Sequence, residues 1–203
     1  ILYDQIDDNN DTKIVQFKSE TTNKKLSFVR ISTGSLGGKA RGLAFANNLL
    51  KDSKLDKKYP DTSIRVPKVA VIGTDEFDVF MDSNDLWKIA FDEKKSDKSI
   101  SNAFLKGKLS KSLRSTLRNY LNNAKSPVAV RSSSLLEDSQ YQPLAGMYAT
   151  YMLPNMGKSK STRLEEIEKA IKLVYASTFL KEPKALIKAS VHHHEEEKMA
   201  VII

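Results

Sequence analysis

The sequence predicts an α+β domain in which helices cover a small mixed sheet. Three observations carry this. The chain has 203 residues, 40% hydrophobic and 29% charged, which is enough for one packed core. Short apolar runs of strand length recur at residues 26–31, 66–72, 128–130 and 199–203. Between them lie longer segments with apolar residues at helical spacing.

Residues 1–28 are polar and read as an entry segment or linker, and residues 29–203 as the domain proper. After the strand at 26–31 comes a small-residue loop, residues 32–38, holding Gly34, Gly37 and Gly38. The spacing then predicts a helix over 40–51, with Leu43, Ala46, Leu49 and Leu50 on one face. A second strand follows at 66–72. Thr74, with Asp75 and Glu76 behind it, reads as the N-cap of a helix whose buried stripe is Phe77, Phe80 and Met81. Leu109, Leu113, Leu117 and Leu121 predict one helix over 105–121. Pro127 ends it, and Val128-Ala129-Val130 is a short strand. A glycine turn at 146 leads into a strand ending at 153. Residues 163–179 predict a helix with Leu164, Ile167, Ala170, Ile171, Val174 and Tyr175 inward, Pro183 marks a break, and Met199–Ile203 is a strand.

Composition excludes several kinds of chemistry. With no cysteine there are no disulfides, thiolate metal sites or cysteine nucleophiles. No apolar run approaches the length of a membrane span, and the N-terminus lacks a signal-peptide pattern. The chain begins at Ile1 and stops at Ile203 within an apolar run, so it reads as a piece of a longer cytoplasmic protein. Its net charge of +8 is uneven: no acid occurs between Asp97 and Glu137, while Lys98, Lys106, Lys108, Lys111, Arg114, Arg118, Lys125 and Arg131 do. Such a stretch suits a polyanion, or simply a solvated helix face.

Three segments could carry chemistry. Gly34-Ser35-Leu36-Gly37-Gly38-Lys39 lies between a strand and a helix, where glycines admit an anion to backbone N–H groups and a lysine adds charge. It departs from a Walker A loop at Thr33 and Ala40. The structural alternative is an ordinary strand-to-helix turn. Val130-Arg131-Ser132-Ser133-Ser134 places an arginine fork at a strand end, with Glu137 and Asp138 behind it as rival ion-pair partners. Ala145-Gly146-Met147-Tyr148-Ala149-Thr150 is either a ligand flap or a hairpin turn. His192, His193 and His194 are adjacent and so do not share a face, which argues against one chelating site.

In order along the chain, these segments resemble the pyruvate phosphate dikinase and phosphoenolpyruvate synthase family. The part matched is the N-terminal PEP/pyruvate-binding, ATP-binding domain. The carriers are Gly37-Gly38-Lys39-Ala40-Arg41-Gly42-Leu43, Val130 to Asp138, Ala145 to Thr150, Ala176-Ser177-Thr178-Phe179, and the strand at Val201-Ile202-Ile203. The resemblance spans roughly residues 29–203. It implies an ATP-grasp-like N-terminal lobe, truncated at its C-terminal end, with ATP held between two lobes. Lys39 and Arg131 would hold the phosphates, Gly37 and Gly38 would lie beside them, and Gly146, Met147, Tyr148, Ala149 and Thr150 would form the glycine loop above. Ser132, Glu137 and Asp138 would support them. Mg²⁺ is implied as well, with its ligands in a second lobe, and phosphate would pass to a histidine on another domain and then to an acceptor such as pyruvate.

Two positions depart from the family pattern: Ala149 stands where an acid is usual, and Leu144 where an aromatic is. His192 to His194 do not match the family's T-x-G-G-x-x-S/C-H segment. The resemblance therefore implies an enzyme whose catalytic partners lie in other domains, this lobe alone being inactive. Two other readings are a basic nucleic-acid-binding module, motivated by residues 98–136, and a non-catalytic nucleotide-binding regulatory lobe, hinted at by Ala149. The first is weakened by sparse aromatics, Phe104 and Tyr120, in that stretch before the strand at 128.

Overall fold

A computed structural model describes residues 15–16, 28–53, 55–134, 146–188 and 197–203. Six strands form one sheet: β1 (Val15–Gln16), β2 (Phe28–Arg30), β3 (Val69–Ile72), β4 (Val128–Ser134), β5 (Thr150–Leu153) and β6 (Met199–Ile202). Their spatial order is β1-β2-β3-β6-β4-β5. The first three are parallel; β6 runs antiparallel to both β3 and β4, and β5 antiparallel to β4. Strands β2, β3 and β4 therefore all point the same way. The edge strand β1 falls inside the stretch that reads as a polar entry segment.

Alternation along the strands splits the core into two layers. On one face, Phe28, Val69, Val71 and Ile202 pack against Ala40 and Ala44 of helix α1 (Gly37–Asp52). On the other, Val29, Ile31, Ala70, Ile72, Val201 and Ile203 meet the larger cluster. That cluster is built from α3 (Thr74–Ser83), α5 (Asp97–Lys106), α6 (Lys111–Asn123) and α7 (Lys160–Ser177). Short helices α2 (Leu55–Lys58), α4 (Trp87–Phe91) and α8 (Lys181–Lys188) complete the set. Phe179, just past α7, is fully buried and contacts the rings of Phe77, Trp87, Phe91 and Phe104. All six residues expected inward on α7 are buried.

Several elements differ from the sequence expectation. Helix α1 starts at Gly37, so the loop ends at Leu36. It buries Ala40, Ala44 and Asn47, with Leu43 packed alongside, and leaves Phe45 and Leu49 exposed. Small residues face the sheet there because the helix lies close to it. The leucine ladder is not one helix. Gly107 closes α5, Ser110 caps α6 by accepting from the Leu113 N–H, and Leu109 is buried from the connection between them. A side chain at Gly107 would lie 2.9 Å from the Phe80 ring, so the break is where the chain passes an aromatic. Strand β4 continues through all three serines, because β6 supplies partners that are remote in sequence. Pro183 sits in the first turn of α8, where a missing N–H costs nothing.

Arg163 and Asn155 fix the step from α6 into β4. The Arg163 guanidinium donates to the carbonyls of Leu121 (3.1 Å) and Ala124 (2.8 Å), and the Asn155 amide to those of Ala124 (2.9 Å) and Ser126 (2.8 Å). These bonds satisfy carbonyls at the end of α6 that have no intrahelical partner. Among the described residues, no helix is long and apolar enough to cross a membrane.

Leu117, fully buried, and Leu49, 57% exposed, separate the two leucine patterns. Leu117→Ala should cost about 2–5 kcal/mol in denaturant unfolding, whereas Leu49→Ala should stay within about 0.5 kcal/mol. Half-burial of Glu76, together with Asp75, pushes its carboxyl above the ordinary 4.5, although Ser110 donates to it. The folded protein then binds the proton more tightly than the unfolded chain does, so this group's contribution to stability falls as pH rises above about 4.5. Glu76→Gln should flatten that part of the stability–pH curve.

Candidate functional site

The C-terminal ends of β2, β3 and β4 converge, and the three sequence segments of interest meet there. After β2 the chain makes a tight turn over residues 32–36. The Arg30 guanidinium ties it down by donating to the carbonyls of Ser32 (2.8 Å) and Gly34 (2.6 Å). The turn is also bolted to the start of α3. The Ser35 N–H donates to Thr74 Oγ1 (2.9 Å), the Thr74 N–H to the Ser35 carbonyl (3.0 Å), and the Gly73 N–H to Ser32 Oγ (2.9 Å). Thr74 therefore does not cap its own helix, as the sequence suggested; Gly73 holds that position and the Thr74 hydroxyl serves the turn.

Helix α1 then starts against β4. Gly37 has φ +73°, and a Cβ there would lie 1.7 Å from the Ser133 carbonyl oxygen. The turn glycine thus admits the β4 backbone, a packing role that sequence alone does not separate from an anion cradle. Ser133, fully buried, donates its hydroxyl to the Leu36 carbonyl (2.8 Å) and accepts from the Ala40 N–H (3.0 Å). One hydroxyl from β4 therefore caps α1 from outside its own segment. Next to it, Lys39 Nζ donates to Ser132 Oγ (3.3 Å). The glycine-loop lysine and the arginine-serine segment are in this way brought together.

The charge at this helix start is unusual. The first turn of α1 holds no acid and carries Lys39, with Arg41 close behind donating to Ser35 Oγ (2.8 Å). A helix N-terminus favours negative charge, so cations placed there raise a local positive field. Such a field suits an anionic ligand and does not help the helix itself.

Arg131 is exposed on the same sheet face as α1, because its strand partners include Ile202, which itself pairs with Val71. Directly across on β5 is Thr150, also exposed. The turn that precedes Thr150 starts at Gly146, exposed with φ +80° and open space around it. Met147 packs against the core and the Tyr148 ring is buried, so those two side chains are committed to packing. The Tyr148 hydroxyl donates to Glu197 Oε1 (2.7 Å), and the Ala149 N–H donates to Ser177 Oγ (3.1 Å). Sequence reasoning did not single out Glu197, which is 1% exposed, as part of this region. Its place at the end of the acidic run that follows the histidines hid it; only its closeness to the apolar strand at 199 was a signal.

Glu137, Asp138 and His192 to His194 lie outside the described residues, as does the rival ion pair of Arg131 with Glu137 or Asp138. Among the described residues no group of three or more His, Cys, Asp or Glu side chains could hold a metal ion. The basic stretch is spread over several elements. Its Arg114 forms an ion pair with Glu168 of α7 at 2.6 Å, while Lys111 and Arg118 line a shallow groove with Arg114 and Ser115. Lys98, Lys106, Lys108, Lys111, Arg114, Arg118 and Lys125 are all exposed.

The family model for the AMP/ATP-binding domain of pyruvate phosphate dikinase matches residues 33–203. A comparison with curated proteins finds no match. The matched span covers most of the chain, which therefore belongs to this family. Its fold class, an α+β ATP-grasp-like nucleotide-binding lobe, follows from that match and from the mixed sheet.

Ser133→Ala should lower stability by about 1–3 kcal/mol, since it removes the buried hydroxyl that bonds both the Leu36 carbonyl and the Ala40 N–H. Gly37→Ala should be worse, with both a positive φ and a backbone clash against it. Thermal and denaturant unfolding of the two variants measure both effects.

Proposed function

From membership in the pyruvate phosphate dikinase AMP/ATP-binding family, we propose that this lobe holds the phosphates of ATP in a phosphotransferase. That enzyme would pass phosphate to a histidine on another domain and then to a small acceptor such as pyruvate. The observation that carries this reading is the cationic start of α1. Lys39 donates to Ser132 Oγ next to Arg131, and the helix turn that carries it holds no acid of its own.

In this reading each residue has a task set by its position. The Lys39 ammonium is a compact charge at the positive end of a helix, suited to a terminal phosphate. The exposed Arg131 fork suits two phosphate oxygens at once. Gly38 would keep a side chain away from the ligand at the first turn, while Gly37 lets that turn lie against β4 beside it. The backbone from Gly146 to Thr150 lies along the same sheet edge and would cover the phosphates. Ser132 would orient Lys39, with Glu137 and Asp138 supporting Arg131. These positive groups act by offsetting charge that builds on the phosphoryl oxygens in the transition state. Mg²⁺, when bound, would neutralise phosphate charge, with its ligands implied in a second lobe. The second lobe and the phosphohistidine domain are the implied partners, and the cytoplasm the implied setting.

In the natural protein, Lys39→Ala and Arg131→Ala should each lower ATP-dependent phosphorylation at least ~100-fold, the scale of a lost transition-state charge contact. Full activity in both variants would sink the assignment. A protein that binds ATP tightly yet never forms phosphohistidine would instead be a regulatory nucleotide-binding lobe, the outcome hinted at by Ala149.

A further inference from the structure

We propose that Ser177 and the Tyr148–Glu197 pair are positioning residues that clamp the glycine turn at 146–150 beside Arg131. This rests on the reading of that turn as a phosphate-covering element, and it assigns a task to residues which that reading leaves unexplained.

The clamp has two jaws on two different elements. One is Ser177 at the end of α7, 2% exposed. Its hydroxyl accepts from the Ala149 N–H (3.1 Å) and donates to the Val174 carbonyl (2.6 Å), so its donor and one acceptor position are both used. Two residues on, Phe179 sits in the aromatic hub and fixes the height of the helix end. The Ala176-Ser177-Thr178-Phe179 segment thereby has a physical reason: the serine holds the turn and the phenylalanine holds the serine. The other jaw is the buried bond from the Tyr148 hydroxyl to Glu197 Oε1 (2.7 Å). Glu197 lies two residues before β6, the strand that pairs with Arg131 through Ile202.

The two jaws grip adjacent residues of the turn, Tyr148 and Ala149. Thr150 follows immediately and pairs with Arg131. Upstream, Gly146 is exposed, and among the described residues nothing lies within 4 Å of where its Cβ would be. The turn is thus gripped at its exit, next to Thr150. These two bonds use a backbone N–H and a ring hydroxyl, and neither involves the side chain at 149. The missing acid at Ala149 therefore leaves the placement of the turn intact.

The test uses the natural protein and the variants Ser177→Ala and Tyr148→Phe, the latter removing a single oxygen. Binding of ATP and of AMP is measured by calorimetry, beside thermal unfolding. Each variant should weaken ATP by roughly tenfold, the scale of one hydrogen bond to a positioned group. AMP, which lacks the outer phosphates, should bind unchanged. A merely structural role would lower the melting temperature and leave the ATP-to-AMP affinity ratio alone; an unchanged ratio in Tyr148→Phe overturns the clamp even if Ser177→Ala does not fold. Lys39→Ala and Arg131→Ala separate the two failures. If they weaken ATP while the clamp variants do not, the clamp alone is wrong. If they too leave ATP binding unchanged, the phosphate reading fails and the clamp falls with it.

Discussion

A single serine hydroxyl joins the two halves of this site. Ser133 donates to the Leu36 carbonyl and accepts from the Ala40 N–H, so it closes the turn and caps the helix in one stroke. Helix α1 begins with two glycines and a lysine and carries no acid in its first turn. Ser35 Oγ accepts from the Gly37 N–H at its start (3.4 Å), and Ser133 of β4 adds a second bond one turn in. Capping from β4 constrains the neighbouring residues: Gly37 has to be glycine, Lys39 lies over Ser132, and Arg131 emerges two residues before the cap on the same strand.

The same junction shows local preference giving way to something else. Cations at a helix N-terminus oppose the helix dipole by up to about 1 kcal/mol at exposed sites. Leu49 and Phe45 stay in solvent while small alanines face the sheet. Both are small local costs. The close approach of α1 to the sheet accounts for the second. The first is the kind of cost that the proposed phosphate site would offset, since an anion there would be favoured by the same field that opposes the helix. Violations of local rules that cluster at one place are what a binding site leaves in a structure.

Most of the scaffold was legible because it depends on local pattern. The stripe of α7, the Phe77, Phe80 and Met81 face of α3 and the strand at 199–202 follow directly from periodicity. What sequence misread depends on partners far along the chain. Serine is a poor strand former, yet Ser132 to Ser134 are in a strand because Val201, Ala200 and Met199 pair with them. Four leucines at regular spacing look like one helix, but the Phe80 ring beside Gly107 decides otherwise. At the candidate site, the segments that carry Lys39 and Arg131, which the fold brings together, were legible from motif alone. The roles of Ser133, Ser177 and Glu197 were not, because each is a single bond made across the fold.

The two faces of the sheet divide the labour. One carries the aromatic hub and helices α3 to α8, and on it nearly every large side chain is buried. Among the described residues the other is covered by α1 over β2, β3 and β6, and beyond that cover Arg131, Thr150 and Met152 face outward, Met152 at 75% exposure. Substitutions on the open strands cost little packing, so the chemistry there can change without unfolding the lobe. The residues that aim it cannot change as freely, because they reach back into the buried layer. Ser133 bonds into α1, Ser177 hangs from the hub through Phe179, and Tyr148 ends on buried Glu197. Stability and the placement of the turn thus share the same buried side chains, while Arg131 and Thr150 stay exposed beyond them.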